Sequence, residues 1–276
     1  MSTCYIPKTV EELGGALGHL TEDSLILAGG TDLVLHLRTE HLQPDVLLSL
    51  CGVPQLRIIE ITSEQASIGA MATMAEIHKA MDGLPDLQAL ADAAGGVGSP
   101  QIRNKGTIGG NAANASAAAD LPPVLWLLNA QAEIMGPGGV RRTISVQELA
   151  DGHQGNTLAL GEVVLRFLID RTAFTGWRSA FVKLGHRSQV TISRIGMAMA
   201  LLQEPDGTIQ DARVVAGAIK PVPFPLPAAE AILRGKRPDP GLAVELGETF
   251  KGNTRRVYKE NAAKGVFQDT LLRFQP

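Results

Sequence analysis

The sequence predicts an α+β fold, because its strands and helices come in separate runs. Three strand-like stretches, 179–184, 192–203 and 208–219, follow one another without an intervening helix. The last two are joined by Glu204-Pro205-Asp206-Gly207, a strong hairpin signal. After Pro221-Val222-Pro223-Phe224-Pro225 the pattern turns helical, over 228–234, 241–250 and 257–274. A three-stranded antiparallel sheet backed by such helices makes a small α+β domain over 176–276.

The elements before it fall into two further units. In 1–57, a helix is expected over 10–19, with Glu11 and Glu12 in its first turn. Short apolar strands are expected at 24–28, running into Gly29-Gly30, and at 45–50. In 58–175, segments 57–61 and 67–70 read as paired strands, and 75–81 and 84–94 as helices. A Gly/Ser/Asn-rich stretch, 95–120, follows with very little charge; loops of that length are usually functional or disordered. Its alanines and Ile108 favour order, so a functional role is expected. Strands at 132–135 and 140–144 flank the turn Gly136-Pro137-Gly138-Gly139.

Composition excludes several classes. In 276 residues, 45% are hydrophobic and 19% charged, enough apolar material for a packed core. A net charge of −3 argues against nucleic acid as a partner. No apolar run approaches the ~20 residues of a membrane span, and Met1 to Lys8 show no secretory pattern. A cytoplasmic protein is the expectation. Cys4 and Cys51 cannot hold an iron–sulfur cluster or a four-thiolate zinc ion; they are expected as free, at least partly buried thiols. His19, His36, His41, His78, His153 and His186 follow no metal-ligand spacing, so no metal site is expected. No catalytic residue is assigned, since GxSxG is absent.

Two segments point to chemistry: Leu27-Ala28-Gly29-Gly30-Thr31-Asp32-Leu33 and Gly106-Thr107-Ile108-Gly109-Gly110-Asn111. Glycines let successive backbone N–H groups converge on one anion, because no Cβ blocks the approach. Thr31, Thr107 and Asn111 add side-chain donors. Neither segment is a GxxxxGK[ST] loop or a GxGxxG opening a helix, which argues against a P-loop nucleotidase and a Rossmann dehydrogenase. Ordinary tight turns are the other reading.

Together with Gly98-Ser99-Pro100-Gln101-Ile102-Arg103-Asn104, Asn114-Ala115-Ser116 and Ala119-Asp120-Leu121-Pro122-Pro123, these segments resemble one family closely. It is the FAD-binding medium subunit of the molybdenum hydroxylases, as in xanthine and carbon monoxide dehydrogenases, and the likeness runs from about 9 to 274. The resemblance implies a vanillyl-alcohol-oxidase (PCMH)-type FAD domain of two subdomains plus the small C-terminal domain. It implies that amides of Ala28, Gly29, Gly30, Thr31, Asp32 and Leu33, and of Thr107, Gly109, Gly110 and Asn111, hold the FAD pyrophosphate. Asp120 matches a carboxylate on the ribityl or adenosine portion, with a helix N-cap as its other reading. Asn114 keeps a polar contact, and Val164 packs on the cofactor. Lys183 lies near the flavin and favours its anionic reduced form, or is a solvated strand-edge charge. Stretch 186–194 matches a loop over the flavin, and Arg103 either touches FAD or braces its loop.

The resemblance further implies two partners, a large molybdopterin-binding subunit and a small iron–sulfur subunit. Electrons would pass from the clusters to FAD and on to NAD or another acceptor, with xanthine, another purine or an N-heterocycle oxidised in the partner. A self-sufficient flavin oxidoreductase and a non-enzymatic nucleotide-binding or assembly protein are the alternatives.

Overall fold

The computed structural model of the chain describes residues 3–150, 155–187 and 190–275. His153, and Ser188 and Gln189 of stretch 186–194, lie outside them, as does the very N-terminus. Three sheets organise the chain in sequence order.

The first sheet is parallel. It contains β1 (Thr3–Tyr5), β2 (Leu25–Leu27) and β3 (Val46–Ser49) in the order β1-β3-β2, with α1 (Val10–Leu17) and α2 (Leu33–Thr39) between them. Helix α1 starts where Thr9 Oγ1 accepts the Glu12 N–H at 3.2 Å, and buries Leu13 and Leu17, one turn apart. Helix α2 was not anticipated: its seven residues bury no side chain, so they carry no amphipathic stripe. Cys4 lies on an edge strand and Cys51 in the turn after β3. Both thiols are free and exposed, which corrects the expectation that they are partly buried.

The second sheet is antiparallel. Its members are β4 (Ile59–Ile61), β5 (Gln65–Gly69), β6 (Gln131–Met135), β7 (Arg141–Ser145) and β8 (Val163–Asp170), in the order β4-β5-β8-β6-β7. Between β5 and β6 run α3 (Met74–Met81), α4 (Gln88–Gly96), α5 (Pro100–Arg103), α6 (Ile108–Ala113) and α7 (Leu121–Leu127). Helix α8 (Val146–Leu149) follows β7. The stretch 95–120 is therefore ordered into two short helices, each opened by a hydroxyl cap: Ser99 for α5 and Thr107 for α6. The central strand β8 carries a bulge: Glu133 faces Arg166 and Ile134 faces Val164, leaving Leu165 as the extra residue. The bulge changes which side chains face inward. Val163 and Leu165 join the core under α1, whereas Val164, Phe167 and Ile169 join that under α3, α4 and α7.

The third sheet has four strands rather than the expected three. To β9 (Trp177–Leu184), β10 (Ile195–Gln203) and β11 (Ile209–Gly217) it adds β12 (Phe224–Pro225), paired with Val215 and Ala216. Proline hides a strand from a sequence reading, yet an edge tolerates it. Helices α9 (Pro227–Leu233), α10 (Ala243–Glu248) and α11 (Val257–Leu272) cover one face. Strand β10 alternates large and small: Met197, Met199 and Leu201 pack on these helices, Ala198 and Ala200 on the middle unit. Both faces are buried, so the strand reads as a continuous apolar run.

Candidate cofactor site

A cleft of about 1210 Å³ runs between the first two sheets and the near end of the third. Every residue that the sequence singled out for a cofactor lines it: Ala28 to Leu33, Thr107, Gly109, Gly110, Asn111, Asn114, Asp120, Val164 and Lys183. Its volume exceeds the ~300–1,000 Å³ of a drug-sized site, leaving room for a dinucleotide.

The two glycine loops meet at the cleft floor. A Cβ on Gly29 would lie 1.9 Å from the Lys105 carbonyl oxygen, so only glycine allows this approach. Gly30 holds φ at +71°, turning the chain into α2. The loops differ in what they leave free. The N–H groups of Gly29, Gly30, Thr31 and Asp32 have no acceptor among the described residues. Those of Ile108, Gly109 and Asn111 are spent on Ala72 O, Ala70 O and Thr107 O, and that of Gly110 on Thr107 Oγ1 at 3.2 Å. The second loop thus offers side chains rather than a run of amides. Among them, Asn111 Oδ1 is buried and has no hydrogen-bond partner among the described residues. Burying an unmet carbonyl is costly, and a bound donor would relieve it.

The loop's single carboxylate, Asp32, faces His36 at 3.5 Å. The imidazole is held above its ordinary value by its hydrogen bond to Glu40, then by the charges of Glu40 and Asp32. Arg103, left between two roles, donates to Val97 O at 3.2 Å and Gly98 O at 3.0 Å. It braces its loop.

Asp120 stands at the N-cap of α7 without capping it. Instead its Oδ2 accepts from Lys183 Nζ at 2.7 Å, and its Oδ1 accepts from the Ser193 hydroxyl. Lys183 also donates to Thr191 O at 3.2 Å, and its side chain is only 15% exposed. The edge strand β9 therefore carries no solvated charge here. Nor is the ammonium a lone cation beside the cleft: Asp120 answers it directly. Burial pushes the Asp120 carboxyl above its ordinary value, and this outweighs the opposing pull of Lys183 and Ser193.

Sequence reasoning missed several lining residues. Thr191 and Ser193 lie in stretch 186–194, named only as a whole for a loop over the flavin, and complete the Asp120 network. Asn156 donates to Ala113 O at 2.7 Å and accepts from the Leu158 N–H at 3.0 Å. It thereby pins an apolar wall, Leu158 and Leu160, against the end of α6.

Residues 1–170 match the FAD binding domain in molybdopterin dehydrogenase, and residues 180–272 the CO dehydrogenase flavoprotein C-terminal domain. The nicotinate dehydrogenase FAD-subunit of Eubacterium barkeri is 32% identical over 97% of this chain and 94% of its own length. The nicotine 6-hydroxylase medium subunit of Paenarthrobacter nicotinovorans is 31% identical over 88% of this chain and 83% of its own. In structure, quinoline 2-oxidoreductase from Pseudomonas putida 86 superposes with a TM-score of 0.87 at 25% identity, over 99% and 96% of the two chains. The chain belongs to the FAD-binding medium subunits of the molybdenum hydroxylase family. It is an oxidoreductase subunit whose cofactor is FAD. The residues present suit that group: free amide donors for a pyrophosphate, an orphaned buried acceptor, and an apolar wall for a ring system.

Proposed function

We propose that this chain carries FAD in the cleft and serves as the electron outlet of a three-subunit molybdenum hydroxylase acting on a nitrogen heteroaromatic substrate. The observation that carries the reading is that one cleft is lined both by Gly29 to Asp32, whose amides have no acceptor among the described residues, and by Asn111, whose buried Oδ1 is unmet. The amides would take the pyrophosphate, with Thr31 and Thr107 as hydroxyl donors beside it. Asp120 would offer its carboxylate edge to the ribityl or adenosine portion, and Val164 its methyl groups to the ring. When bound, FAD supplies the capacity to accept electrons singly and release them in pairs.

The chain's own residues hold and orient. The Lys183–Asp120–Ser193 network ties α7 to the third sheet beside the cleft, keeping both walls in register. The three sheets follow the divisions 1–57, 58–175 and 176–276, which we take as two FAD subdomains and a C-terminal domain. Partners are expected because the relatives are named as an FAD-subunit and a medium subunit, and Cys4 and Cys51 alone cannot supply a cluster. A large molybdopterin subunit and a small iron–sulfur subunit fill that need, with NAD or another acceptor at the outlet. The substrate class follows that named for the relatives, nicotinate, nicotine and quinoline. Two exposed free thiols suit the reducing cytoplasm.

The test is copurification from the native host, with the released chromophore identified. The expected result is one FAD per chain, with FAD reduced by an N-heteroaromatic substrate only when both partners are present. Substrate oxidation by the chain alone would overturn the reading.

A further inference from the structure

We propose that Lys259 is a positioning residue for the cofactor cleft, acting through the turn at Ala218 on the segment that carries Asp120. The inference rests on the reading of this cleft as the FAD site.

Lys259 lies in the first turn of α11 and is only 6% exposed. The titratable groups near it are the Tyr258 phenol and the Arg256 guanidinium at the start of its own helix, and the Arg194 guanidinium just before β10. No carboxylate forms an ion pair with it among the described residues, an expensive position for a lysine. Its ammonium donates instead to the Ala218 carbonyl at 2.6 Å.

Ala218 is itself unusual. It holds φ at +62°, the left-handed region that residues with a Cβ rarely adopt. From that conformation its N–H donates to the Ala117 carbonyl at 3.1 Å. Ala117 lies between the cleft-lining residues Ser116 and Ala118, and Asp120 follows three residues on. Two hydrogen bonds thus connect a helix of the C-terminal unit to the wall of the cleft. The first fixes a strained turn, and the second uses that turn to hold the wall. A lysine that served only to pack α11 would not need the alanine turn.

The experiment uses the full chain and two readouts: hydrogen–deuterium exchange at the Ala218 amide, read without FAD, and FAD affinity by flavin fluorescence. Lys259→Met should speed exchange at Ala218 about tenfold and weaken FAD binding by about the same factor. Ala218→Gly, placed in the Lys259→Met background, should recover about threefold of that affinity, because glycine adopts the turn freely. Should Lys259→Met not fold, Lys259→Gln disturbs α11 less and should show the same ordering with smaller changes.

Unchanged exchange at Ala218 in the lysine variant overturns the proposal. So does faster exchange with unaltered FAD affinity, and so does a failure of Ala218→Gly to recover any of it. A wild-type chain with a protected Ala218 amide that takes up no FAD overturns the reading of the cleft, and the proposal with it.

Discussion

Lys183 and Asp120, 63 positions apart in the chain, form a buried ion pair with Nζ 2.7 Å from Oδ2, and Ser193 completes the carboxylate's second oxygen. A carboxylate this deep is sustained by its partners, so the pair responds asymmetrically to changes on its two sides.

Removing the lysine leaves a buried carboxylate with one hydroxyl. Lys183→Met should destabilise the chain by about 3–5 kcal/mol, measured by urea unfolding. The double variant Lys183→Met/Asp120→Leu should recover most of it, since two apolar groups need no partner. A single-variant loss below about 1 kcal/mol would show that the pair behaves like an exposed one.

The pH response follows from the raised Asp120 carboxyl. A folded-state value above the ordinary 3.8 means the folded chain binds this proton more tightly than the unfolded chain. The associated stability is fully present below pH 3.8 and is lost as pH rises through the raised value. Comparing wild type with Asp120→Asn across pH 3 to 8 should therefore show the wild-type melting temperature falling relative to the variant above 3.8, then levelling off. A difference that grows in favour of wild type with rising pH would mean that Lys183 and Ser193 win over burial.

Asn111 allows cofactor affinity to be separated from stability. Its Oδ1 is buried and unmet, so Asn111→Ala should cost the cofactor-free chain little. FAD affinity, by contrast, should fall about tenfold in an equilibrium titration. Equal losses in both would assign the side chain to the fold rather than to the cofactor.

Two glycines should answer oppositely to the same substitution. Gly29→Ala drives a Cβ into the Lys105 carbonyl and should cost about 1–3 kcal/mol together with FAD binding. Gly15→Ala, on the exposed side of α1 with nothing within 4 Å of the new methyl, should stabilise by about 0.5–1 kcal/mol. Thermal melts of both variants test the pair. A stabilised Gly29→Ala would mean the two loops can part without loss.

Local chemistry made much of the fold legible. The turns at Gly136–Gly139 and Glu204–Gly207 mark their hairpins because turn residues act over four positions, and β6/β7 and β10/β11 form there. The glycine loops announced a cofactor cleft because a backbone that must approach a ligand needs residues without a Cβ. Strand β12 stayed hidden behind prolines, and α2 behind a run with no buried stripe.

What the sequence by itself determined is the α+β class, the main hairpins, the family and the two glycine loops that line the cleft. All of these depend on residue type and short spacing. Only the tertiary structure decided which amides are free and which are spent, because the acceptors of Ile108 and Gly109 come from Ala72 and Ala70, on the segment after β5. It likewise set aside the helix-cap alternative for Asp120 by pairing it with Lys183 and Ser193, placed β8 at the centre of its sheet, and left both thiols exposed. These outcomes join residues that are distant along the chain, and their energies come from burial and pairing that exist only once the sheets have packed.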